Sequence, residues 1–183
     1  MIRKTLFAAA FVMTAMAISA SAQKAPDMSG TWVLDVARSK MAMPVESMTM
    51  TVAQTEADLS VKTETKRAPM TGVEAPRGGM GRGGGGGGRG AGDTSYIYNL
   101  DGKAKTTQSE GPMGSIPVTL KAKFEGAKLK LSQTSIITSP MGAITIETKE
   151  TWEMGADGTL TVTRESQTPR GNNTSTLVFT KKN

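Results

Sequence analysis

Apolar and polar residues alternate with a period of two in ten short stretches of this 183-residue chain, each bounded by turn residues. A strand that buries one face has this period, because successive side chains leave it on opposite sides. The stretches cover 30–36, 46–53, 58–66, 94–100, 103–109, 117–125, 128–138, 143–154, 159–167 and 173–181. A helical pattern is confined to Ala37 to Met43, one short turn stopped by Pro44. The pattern predicts an all-β fold, an antiparallel up-and-down meander of about 8–10 strands closed into a barrel.

Turn residues set the register in the second half, since loop length decides which positions face each other across a hairpin. Gly126-Ala127 as a two-residue loop puts Phe124 opposite Leu129 and Ala122 opposite Leu131. A four-residue loop at 139–142 puts Leu129 opposite Trp152 and Leu131 opposite Glu150. Ala156-Asp157-Gly158 then puts Trp152 opposite Val162 and Glu150 opposite Arg164. A six-residue connection over 168–173 brings Phe179 to Val162 and Leu177 to Arg164. These turns agree on one inner face, apolar except for Glu150 and Arg164. An opposed charge pair there either satisfies two inward charges near the barrel mouth or faces a ligand.

The first half is less constrained. Asp101-Gly102, between Leu100 and Lys103, is a two-residue hairpin signal. Met48, Met50 and Val52 share a face, as do Leu59 with Val61, and Tyr96 with Tyr98 and Leu100. The stretch 103–109 is almost wholly polar, which suits an edge or a poorly closed seam.

Ahead of the strands, Arg3 and Lys4, the apolar run Leu6 to Ile18 and the small residues Ala20-Ser21-Ala22 have the order of a cleavable secretory signal. The apolar run falls short of the roughly 20 residues of a membrane-spanning helix. The expectation is cleavage after Ala22, a periplasmic or secreted location, and a single domain over 23–183 that does not span the membrane. The formal charge of +6 falls to +4 when Arg3 and Lys4 leave, which favours acidic surfaces without naming a partner.

Histidine and cysteine are both absent, which removes the Ser-His-Asp triad, the thiol nucleophile, the disulfide scaffold and the usual zinc ligands. A pair of carboxylates in one cleft would still allow glycosidase-like chemistry, but the register supplies no second inward acid beside Glu150. No catalytic residue, cofactor or metal ligand is expected. Pro-Met at 69–70, 112–113 and 140–141, with Met41, Met43, Met48 and Met50, offers soft thioethers suited to Cu(I), weighed against ordinary packing and turns. Between about 67 and 93 the chain turns into a glycine tract carrying Arg77, Arg82 and Arg89, which reads as a disordered loop between strands. Such segments can bind nucleic acid, a role that export disfavours.

Gly30-Thr31-Trp32 at the start of the first strand resembles the lipocalin and calycin group, whose first strand carries Gly-x-Trp. The chain is also similar to short exported bacterial β proteins that open with Ser-Gly-Thr-Trp and end in a Leu-Val-Phe strand, here Leu177-Val178-Phe179. The resemblance implies a barrel whose closed end is plugged by Trp32, with a basic residue, Lys181 or Arg164, covering the indole. It departs from that group in lacking cysteine, in its strand number and in the glycine insertion. The functional expectation is a non-enzymatic barrel binding a small apolar or amphipathic molecule, lined by Phe124, Leu131, Glu150, Trp152, Arg164 and Leu177. The alternative is a packed structural or surface interaction module that meets partners through its basic glycine loop.

Overall fold

The structure is a computed structural model and describes residues 25–41, 45–67, 93–111, 114–139, 142–169 and 171–182. The signal segment, the glycine tract and the three Pro-Met pairs lie outside them. Ten strands follow one another: β1 (Gly30–Leu34), β2 (Val45–Gln54), β3 (Asp58–Arg67), β4 (Thr94–Asn99), β5 (Lys105–Gly111), β6 (Gly114–Glu125), β7 (Lys128–Ser139), β8 (Gly142–Met154), β9 (Leu160–Thr168) and β10 (Gly171–Lys181). They form one antiparallel sheet in the order β4-β3-β2-β1-β10-β9-β8-β7-β6-β5, rolled into a nearly closed barrel.

Chain ends close the barrel. Strand β1 pairs with β10 through Trp32↔Lys181, Val33↔Thr180 and Leu34↔Phe179, so the first and last strands are neighbours. The remaining gap falls between β4 and β5. The hairpin expected at Asp101-Gly102 does not form. Asp101 bridges to Lys123, and the Gly102 N–H donates to the Ala122 carbonyl at 3.0 Å, which leaves β4 and β5 unpaired with each other among the described residues. The turn is held by β6, which extends past the start of β5 and offers a free ladder there. Strand β5 is the polar edge that its composition suggested.

The registers predicted at three hairpins are present: Phe124↔Leu129, Ala122↔Leu131, Leu129↔Trp152, Leu131↔Glu150, Trp152↔Val162 and Glu150↔Arg164. Gly126 and Gly158 take φ of 62° and 77°, the left-handed geometry that such turns require. The last hairpin differs from expectation. Thr168 pairs with Gly171, so two residues rather than six connect β9 to β10, and Leu177 faces Val162, Phe179 faces Leu160 and Ser175 faces Arg164. A slip of two positions keeps each side chain on its face but moves it one layer along the barrel.

Of the stretch Ala37 to Met43, the described residues 37–41 form no helix, and the rest lies outside the described residues. Asp35 accepts from the Arg38 N–H at 3.1 Å and the Ser39 hydroxyl bonds the Asp35 carbonyl at 2.6 Å, making a polar turn. Lys40 then bridges to Thr176, so the chain runs on along β10 and gains sheet bonds instead of helical ones.

The core fills the end of the barrel where Trp32, Leu59, Leu129, Trp152, Leu160, Val162, Leu177 and Phe179 meet, each at most 2% exposed. Residues preceding β1 strap this end. Met28 is fully buried, its N–H donates to Gln54 Oε1 at 3.0 Å, and its carbonyl accepts from Trp32 Nε1 at 3.0 Å. Of the two basic residues expected over the indole, Lys181 is the one in place, with Nζ 5.5 Å from the ring centroid. A Cβ on Gly30 would stand 2.5 Å from Lys181 Cε, so the first-strand glycine is the gap through which that lysine reaches the tryptophan. Met48 and Met50 are buried in the same core and Met41 packs against it, which makes these three thioethers packing groups.

Candidate functional site

Inward-facing positions change character along the barrel. At the strapped end the layer Phe124, Leu129, Trp152, Val162 and Leu177 is apolar and, apart from half-buried Phe124, closed to water. One layer above, Ala122, Leu131, Glu150, Arg164 and Ser175 lie side by side on successive strands. Leu177, expected beside Arg164, belongs to the layer below, and Ser175 takes its place. The corrected register makes the charged layer more polar than the sequence suggested.

Within that layer Arg164 Nε donates to Glu150 Oε1 at 2.7 Å, and Trp152 Nε1 reaches up to Glu150 Oε2, also at 2.7 Å. Both carboxylate oxygens are therefore engaged, which is the condition for a charge to sit on an inner face at modest cost. The pair is only partly covered: the Arg164 and Glu150 side chains keep 29% and 17% of their exposure. Tyr98 closes the layer from β4. Burial, and then the Glu150 charge beside it, push its hydroxyl well above the ordinary tyrosine range.

Above Glu150 and Arg164 the inner face divides. Thr148 and Ser166 face each other with hydroxyls 3.3 Å apart on β8 and β9, and both are half-buried. Gln133 Nε2 donates to the Tyr96 hydroxyl at 3.2 Å, which lies 3.3 Å from Ser109 Oγ and so ties β4 to β5 and β7 over the gap. On β6 the inward positions are Val118 and Leu120, on β7 Gln133, Ser135 and Ile137, and on β8 Ile146 follows Thr148, so aliphatic and polar side chains share this part of the face. The upper inner face thus has polar side chains from Gln133 to Ser166, aliphatic ones on β6 and toward the far ends of β7 and β8, and an ion-paired floor.

The six residues expected to line a ligand site are brought together in two adjoining layers, but not with equal access. Leu131, Trp152 and Leu177 are 5%, 1% and 2% exposed, so their side chains are almost closed to water. Glu150 and Arg164 face the open side. Tyr96, Tyr98, Gln133, Thr148, Ser166 and Ser175 were not among the expected residues. The first two were legible as a shared face on one strand. The others are polar residues at inward parity, which the same turn-based register would have picked out had it been carried two residues beyond Glu150.

Compared with family models, curated proteins and solved structures, the chain matches none.

Proposed function

We propose that this protein is an exported, non-enzymatic barrel that holds a small amphipathic molecule in its upper lumen. The observation carrying the reading is the division of the inner face above Glu150 and Arg164. Polar side chains from Gln133 to Ser166 stand beside aliphatic ones on β6 and at the far ends of β7 and β8, over a floor whose charges remain partly exposed. Small antiparallel barrels either fill their lumen or leave a pocket, and this reading assigns the first outcome to the strapped end and the second to the upper one. A wholly apolar ligand suits the site less well, because the apolar end is closed. In this arrangement the molecule's apolar part lies along Ile146 and Ile144 at the open end of β8, and its polar end meets Arg164, Thr148 and Ser166.

Trp152 supplies the readout, since its indole N–H is bonded to the floor carboxylate. Native mass spectrometry of the mature protein from its own host should show an added mass that is lost on denaturation. Titration with a series of amphiphiles should change Trp152 fluorescence saturably, and Ser166→Phe, which fills the mouth without touching the apolar core, should abolish the response. Loss of a hydrogen bond to a charged group in Arg164→Met should weaken binding roughly tenfold or more. A bare mass together with no saturable response would sink the reading in favour of a packed module, the alternative that the closed apolar end favours.

A further inference from the structure

The outer surface of β6 to β9 carries a concavity of about 430 Å³ on the side of the sheet away from the lumen. Its outward side chains are Lys121 and Lys123 on β6, Lys130 and Ser132 on β7, Lys149 and Thr151 on β8, and Thr163 and Glu165 on β9, with Glu125 and the turn at Gly102 closing one end. Ala122, Leu131 and Glu150 also border it, but their side chains belong to the inner face by strand alternation. The volume is within the usual range for small-ligand sites.

Charge placement in this groove runs against sheet stability. Lys123 and Lys130 are directly opposed across β6 and β7, with Lys121 one outward position along from Lys123, while Lys149 stands between Ser132 on β7 and Glu165 on β9. Like charges directly opposite one another destabilise a strand pair. Local carboxylates answer this only in part. Lys123 pairs with Glu125 at 2.5 Å and Lys149 with Glu147 at 3.2 Å, whereas Lys130 Nζ bonds the Thr151 hydroxyl at 2.8 Å and Lys121 has no ion pair among the described residues. With hydroxyls on its floor, four lysines against the two outward carboxylates Glu125 and Glu165, and no aromatic side chain, the groove suits an anion carried on a hydroxylated scaffold. Stacked bases would need aromatic platforms, and a bilayer would need exposed apolar side chains, neither of which lines it.

We propose that this outer groove binds a soluble oligosaccharide bearing sulfate or phosphate groups, with Lys121 and Lys130 as the principal contacts. The site is independent of the lumen and stands or falls without it. The test is titration calorimetry of the mature protein with a sulfated hexasaccharide at two salt concentrations, with inorganic phosphate and anionic phospholipid vesicles as parallel arms. Saturable binding of the saccharide that weakens with salt is expected. The double variant K121Q/K130Q should lower affinity at least tenfold and flatten the salt dependence, while K121R/K130R retains binding. Lys62→Gln, on the outer face of β3, should leave affinity unchanged, and circular dichroism checks that each variant folds. Absence of saccharide binding, equal binding by K121Q/K130Q, or a response only to vesicles or to phosphate alone would each overturn the proposal.

Discussion

The barrel has two seams, and they differ in a way that chain order would not suggest. Strands β1 and β10, at opposite ends of the sequence, are joined by ladder bonds and by the Trp32, Lys181 and Met28 assembly. Strands β4 and β5, separated only by a short turn, do not pair with each other among the described residues and meet through the Tyr96, Ser109 and Gln133 side chains. What decides closure is what each strand can bury. Strand β1 places Trp32 and Leu34 into the core, whereas β5 has the sequence KTTQSEG and offers Lys105, Thr107 and Ser109 at its inward positions. Proximity in sequence lowers the entropy of meeting, but an edge without apolar payload gains little by being covered.

The largest effect on this contrast should come from Trp32→Ala. Removing a fully buried indole from the closed seam is expected to cost about 3–5 kcal/mol, read as a fall in the urea midpoint, and to speed amide exchange in β1 and β10. Gly30→Val should follow at about 1–3 kcal/mol. The residue sits at φ 139° and its side chain would displace Lys181 from the indole, so the cost should be smaller in a Lys181→Ala background if the two act together. At the open seam, Tyr96→Phe removes bonds that are half exposed and should cost about 1 kcal/mol or less, with exchange accelerated in β4 and β5 alone. A larger loss from Tyr96→Phe than from Trp32→Ala would reverse the comparison.

The smallest effect is confined to alkaline solution. Burial raises the Tyr98 hydroxyl above its unfolded value near 10, so the folded chain keeps a proton that the unfolded chain releases. That contribution is intact below the unfolded value and fades as pH rises past it. Tyr98→Phe should therefore match the parent protein in denaturant midpoint at neutral pH and lose less stability above about pH 10. Identical alkaline profiles for the two proteins would show that Tyr98 is already open to solvent.

Strand number, meander order and most of the inner face were legible because period-two patterning and turn chemistry are local signals. Gly126 and Gly158 fix φ, and each fixes a register. Local signals do not carry the features whose deciding interaction is distant. The β9 to β10 turn carries no glycine in its two-residue loop, so its length could not be read from residue type, and Leu177 was placed one layer too high. The turn at Asp101-Gly102 has hairpin chemistry, yet its partner is β6, a contact that only the barrel supplies. The segment 37–40 has a short helical look but finds sheet bonds on β10. For the site, the ion pair emerged from register alone. The polar side chains above it did not, since serine and threonine on an inner face are indistinguishable from the same residues on an outer one until the layers are stacked.

Strand β10 also has a role in time. It joins a four-stranded sheet, β1 to β4, to a five-stranded one, β5 to β9. Every other pairing is made between strands that follow each other in the chain, while Val33 and Thr180 come together over 147 positions. By loop-closure scaling that meeting costs about 2 kcal/mol more than a hairpin of about ten residues. The two half-sheets can therefore assemble locally and early, and their union waits for the final strand, a topology associated with slow folding. Until it docks, β1 and β9 each present a bare edge to any other chain nearby, so an interrupted molecule would be adhesive in a way that the finished barrel is not.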